Sequence, residues 1–171
     1  MSAIGSMIRG AGASALGTLA MDSFLYRRYR RGGGDAAFTQ WEASDGLMSW
    51  EDAPAPARVG KKLLEPVLGR EVSPRYARLL NNATHWGYGI ATGAGYGLLV
   101  GSRPKPEVWF GPPFGATVWA SGYVVFPLFG VYEPIWKYDL ETLWKDLSAH
   151  LVFGTATAGA FALIAGIGAD G

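Results

Sequence analysis

The 171-residue sequence contains no cysteine, which removes disulfides, thiolate metal sites and cysteine nucleophiles at once. Charge is scarce as well: Asp, Glu, Lys and Arg make up 17% of the chain, against about 25% in an ordinary soluble domain. The net charge is only +1, and the basic residues stand beside apolar segments instead of along a face that could follow phosphates. Nucleic acid is therefore not an expected partner. No serine or threonine stands in a nucleophile elbow, no glycine-rich loop carries a phosphate-binding lysine, and Glu42, Asp45, Glu51 and Asp52 read as solvated loop charges. An enzyme is not expected, nor a cofactor. A secretory leader is not expected either, because the apolar N-terminal stretch follows a single Arg9 and the strong positive cluster comes after it.

What the chain has in excess suits lipid. Its 25 glycines are about twice the usual share, and it carries 7 tryptophans and 8 tyrosines. Glycine lets membrane helices approach closely, and amphipathic rings settle at headgroup depth. Crossing a bilayer takes about 20 mostly apolar residues, and four such stretches are predicted, over about 4–26, 79–101, 110–130 and 146–168. The first carries Arg9 and Asp22. The second is preceded by Ser73 and Pro74, an N-cap and first-turn proline pattern. The third opens on Pro112 and Pro113, closes on Gly130 and has Pro127 placed to kink its last turns. Asp139 is a candidate N-cap for the fourth, whose helix is amphipathic before it becomes wholly apolar.

The expected fold class is an all-α membrane protein of four transmembrane helices, built as two repeated helical hairpins, with the whole of 1–171 forming one membrane domain. The long segment 27–78 is basic, holding Arg27, Arg28, Arg30, Arg31, Arg58, Lys61, Lys62, Arg70, Arg75 and Arg78, and Lys137 and Lys145 lie between the third and fourth spans. Only Arg9, Arg103 and Lys105 stand on the other side. By the positive-inside rule the long loop is cytoplasmic and both termini face away from the cytoplasm. Within that loop, Gly32 to Pro56 reads as a mobile connector. The stretch 57–69 reads as a short amphipathic helix, either in the headgroup layer with its lysines toward anionic lipid or packed on the bundle.

Setting His85 against His150 aligns the second and fourth spans without a gap, matching Gly89 with Gly154, Thr92 with Thr157, Leu98 with Leu163 and Gly101 with Gly166. Gly89, Gly93, Gly97 and Gly101 form one stripe at a spacing of four, and Gly154, Ala158, Ala162 and Gly166 form its counterpart. Glycine- and alanine-rich helices also align by composition alone; duplication of a hairpin is the other reading. Such stripes predict close packing of these two spans, with each other or across a homodimer.

Ionisable groups in a bilayer are costly, so each is a functional candidate. Asp22, Asn82, His85, Asp146 and His150 are expected near the cytoplasmic level as one polar cluster. Three readings stay open for it: interhelical hydrogen bonds that hold the bundle, a proton-responsive histidine–carboxylate site, or a metal or haem site with two histidine ligands. Function follows these readings, as a structural or accessory membrane protein, or alternatively as a small, dimeric transporter or ion pathway.

Ala83, Thr84 and His85 with Gly95 and Tyr96, then Phe126, Pro127 and Leu128 with Gly130, then His150, Leu151 and Val152, occur in the order seen in one family. Over about Leu80 to Phe153 the chain resembles the YagU-like family of small bacterial inner-membrane proteins. That resemblance implies an inner-membrane location and an undefined activity loosely linked to acid tolerance. It carries over no catalytic residue, and the long Gly32 to Pro56 segment is a departure from the family's pattern.

Overall fold

The computed structural model describes residues 2–103 and 107–167. Lys105 and the expected end of the fourth span at Gly168 lie outside them. Every regular element among the described residues is helical, with no strand: α1 (Ala3–Arg31), α2 (Phe38–Glu42), α3 (Ala55–Leu68), α4 (Ala77–Val100), α5 (Gly111–Leu128) and α6 (Leu140–Ile167), with 3-10 turns at Pro74–Tyr76, Val108–Phe110 and Ile135–Lys137. Two compact units emerge, one from Met1–Leu25, Tyr88–Ser121 and Asp139–Gly171, the other from Tyr26–Gly87 and Gly122–Tyr138.

Local chemistry accounts for the helix ends. The Ser2 hydroxyl accepts the Gly5 N–H at 3.1 Å and starts α1, and Arg28, Arg30 and Arg31 in its last turn suit the negative end of the helix dipole. Ser73 is extended, as the residue before a proline must be, and makes no side-chain cap. α4 begins only after the intervening 3-10 turn. α5 ends one residue past Pro127, and Gly130 then takes φ +59, where a side chain would be strained. Asp139 caps α6, its carboxylate accepting the Thr142 N–H and hydroxyl, each at 2.8 Å.

By length and composition, α6 from Leu140 to Gly166 is long and apolar enough to cross a membrane, and only 33% of its most apolar stretch is buried. It alone passes among the described residues. The other three long helices fall short because Arg9, Asp22, Asn81, Asn82 and many glycines and aromatic residues carry little hydropathy.

Inside the first unit, the α4 stripe meets α1, while the α6 stripe divides between α5 and a core that includes α4 residues. A Cβ on Gly101 would meet the Ser6 side chain, one on Gly97 the Ser6 carbonyl and Gly10, one on Gly93 the Ser14 side chain and one on Gly89 the Thr18 hydroxyl, all at 3.0 Å or closer. Gly89, Gly93, Gly97 and Gly101 therefore pack antiparallel on α1, whose own residues Ser6, Gly10, Ser14 and Thr18 repeat at four. The small residues of both helices let the backbones meet where any larger side chain would hold them apart. Gly154 instead meets Gly111 and Gly115 of α5. Ala158 is buried with Ala13, Tyr96, Val100 and Phe161 in the hydrophobic core, whereas Ala162 is half-buried and Gly166 is exposed with nothing near it.

In the second unit, the Gly32 to Pro56 segment is a built element and not the connector expected from its composition. Tyr26, Tyr29, Phe38 and Trp41 stack together with centroids 5.2–6.4 Å apart. The Tyr26 hydroxyl donates to the Ala36 carbonyl, and the Tyr29 hydroxyl accepts the Ala36 N–H. Gly34 lies under the Tyr29 ring, where a Cβ would come within 2.2 Å of the ring. Four aromatic rings outweigh the turn-forming composition around them.

Candidate functional site

Each unit holds one histidine beside a carboxylate. In the second unit the first turns of α4 present Arg78, Asn81, Asn82, His85 and Trp86, spaced so that they share one helix face. That face clamps the end of α2 and the turn after it. Arg78 pairs with Asp45 at 2.7 Å and donates to the Ala43 carbonyl. Asn82 donates to the same carbonyl at 3.0 Å, and Asn81 to the Ser44 hydroxyl at 2.8 Å. Ser44 is held at φ +50, the left-handed region that non-glycine residues seldom occupy. The Trp86 indole N–H then donates to Glu42 at 3.0 Å.

This clamp brings Glu42 to His85: a carboxylate oxygen and a ring nitrogen lie within 4.8 Å of each other, and both residues are half-buried. The Trp86 ring stands edge-on to His85 with centroids 6.3 Å apart. Glu42 and His85 are ligand types that zinc accepts, and equally a pair that can share a proton.

The first unit holds the other pair. His150 Nδ1 lies 3.3 Å from the Asp146 carboxylate and 3.0 Å from the Asp146 carbonyl, one helical turn back. A carbonyl only accepts, so this contact is a hydrogen bond in the tautomer that carries hydrogen on Nδ1. The contact is partly open to its surroundings, with His150 and Asp146 side chains 23% and 30% exposed, which weakens any charge interaction when His150 is protonated relative to a buried pair. Below this pair the helix packs closely, since a Cβ on Gly115 would strike the His150 carbonyl.

Asp22 lies in the same unit as Asp146 and His150, buried to 3% exposure on α1. It continues the series of Ser6, Gly10, Ser14 and Thr18. The hydroxyls of Thr18 and Thr157 are also buried there, with no hydrogen-bond partner among the described residues. Asn82 belongs to the other unit with His85, and its side chain is committed to backbone carbonyls at Ala43 and Arg78.

Glu42 is the participant that reading the sequence as loop charges missed. No local signal separated it: Trp41 precedes Glu42 just as Trp50 precedes Glu51, yet Glu51 and Asp52 are exposed while Glu42 is half-buried. No family model, curated protein or solved structure matches the chain.

Proposed function

We propose that this chain is a multi-pass membrane protein with α1, α4, α5 and α6 as its spans, in a bacterial inner membrane, and that it acts as a structural or accessory component rather than an enzyme. The observation that carries this reading is the apolar surface of all four helices. Ile4 and Ile8 on α1, Leu98 and Leu99 on α4, Val124 and Leu128 on α5 and Leu163 on α6 are each 50% exposed or more. A soluble monomer seldom leaves so much large apolar side chain in water, whereas lipid accepts it without cost. The short motifs shared with the YagU-like family support the inner-membrane placement. The Glu42–His85 and Asp146–His150 pairs supply the proton-responsive element of this reading, coupling packing to pH.

A second reading, a small proton or ion pathway, is favoured by one specific feature. Ser6, Ser14, Thr18 and Asp22 lie at multiples of four along α1, all buried, a line of polar groups inside a helix expected to face apolar surroundings. Full-length protein in liposomes separates the two. Structural function predicts no flux under a pH gradient and lower thermal stability for His85→Ala and His150→Ala. A gradient-driven flux that either substitution abolishes would establish the pathway instead. Elemental analysis of the purified protein tests metal at the Glu42–His85 pair, with no stoichiometric metal expected.

A further inference from the structure

The second unit carries a recess of about 290 Å³ whose chemistry the histidine pairs do not use. It forms where the chain leaves α3. Gly69 caps the helix at φ +63, its N–H donating to the Glu65 carbonyl, and the Glu65 carboxylate then accepts the Val72 N–H at 3.0 Å. The Trp50 indole binds the Val72 carbonyl from the other side. These bonds fold 69–73 back over α3 and the start of α4, leaving a hollow floored by Leu64, Leu68, Leu79 and Leu80.

Arg70 and Arg75 stand at its wall with Ser73, against a single acid, Glu71. Among the described residues Arg70 has no ion-pair or hydrogen-bond partner, and Arg75 engages only its neighbour Tyr76, through the hydroxyl at 2.8 Å and the ring face. Two neighbouring cations are committed, Arg78 to Asp45 and Lys61 to Glu65 and the Trp50 ring. Beside the recess, Leu63, Val67 and Leu79 are 53%, 80% and 62% exposed.

Two uncommitted guanidiniums above an apolar floor, with more apolar surface running outward from it, match a molecule that is anionic at one end and apolar at the other. We propose that this recess binds the headgroup of an anionic phospholipid, with Arg70 and Arg75 on the phosphate and the acyl chains lying along Leu64, Leu68 and Leu79. The volume is at the low end for a ligand pocket, room for a headgroup and not for a whole lipid. Guanidinium suits phosphate because its planar fork can donate two hydrogen bonds to it. This inference rests on the membrane placement proposed above.

Native mass spectrometry of the full-length chain, released from detergent with phosphatidylglycerol or phosphatidylcholine added, tests it. Wild type is expected to retain phosphatidylglycerol preferentially. At about 1 kcal/mol for each arginine near an anionic headgroup, Arg70→Gln with Arg75→Gln should cut that preference roughly thirtyfold, while Lys61→Gln with Lys62→Gln should leave most of it. Glu71→Gln should strengthen it. Equal retention of the two lipids, an unchanged preference in the arginine variant, or displacement of the lipid by inorganic phosphate at matched ionic strength would each overturn the proposal. Arg70→Lys with Arg75→Lys, which keeps the charge, controls for misfolding. Resistance of the chain to carbonate extraction from membranes reports separately on the placement, so a failed lipid test with a resistant chain refutes the site alone.

Discussion

At the scale of single residues, glycines of one helix differ sharply in what they do. Gly93 faces Ser14 and the Gly10 carbonyl, so that an added Cβ would overlap both, whereas Gly95, two residues on, has nothing within 4 Å. Gly93→Ala should therefore destabilise the protein by about 1–3 kcal/mol through overpacking, while Gly95→Ala should be neutral or stabilising by up to about 1 kcal/mol through helix propensity. Thermal unfolding of the two variants in the same detergent checks the pair. Equal shifts would mean that α1 and α4 do not meet through this face. The spacing of the glycines was legible in the sequence, but the identity of their partner was not. Ser6, Ser14 and Thr18 make α1 look merely polar until their contacts with α4 explain them.

At the scale of elements, the capping of α6 is a test of local chemistry independent of packing. Hydrogen bonds from the Thr142 backbone and then its hydroxyl hold the Asp139 carboxyl below the usual carboxylate range. A carboxyl whose pKa is depressed in the folded state contributes stability above its unfolded pKa and loses it as pH falls through the folded value. The stability difference between wild type and Asp139→Ala should thus be present at neutral pH and fade below about pH 4, whereas Asp139→Asn should retain a cap that does not titrate. Melting curves recorded from pH 7 down to pH 3 read it; a difference that persists unchanged at pH 3 would show that the charge is irrelevant to the cap. This cap was readable from the sequence because Asp139 and Thr142 lie within three residues of each other. α2 was not, since its reason for existing is the stack of Tyr26, Tyr29, Phe38 and Trp41, joined across a glycine-rich turn.

For the whole molecule, the proton-responsive role proposed for the two histidine–carboxylate pairs has a direct test. Replacing both histidines, as His85→Gln with His150→Gln, should remove any change in unfolding temperature between about pH 5 and 8, the range in which unperturbed histidine titrates. The wild type should show such a change. Two flat, parallel curves would make the pairs packing elements and leave a scaffold without a proton-linked device.

Composition and period alone determined that this chain is helical, where its long helices lie, and which faces carry only small residues, because these properties follow from neighbours within a few turns. They also pointed to His85 and His150 as unusual, since ionisable groups are conspicuous in apolar segments. Tertiary structure alone decided that the α4 stripe meets α1, that α2 is a structured element, that Glu42 reaches His85, and that Arg70 and Arg75 stand over an apolar recess. Each of these joins residues far apart in the chain or depends on how a turn folds back. Such meetings are set by packing between elements, on which the local pattern of a single sequence is silent.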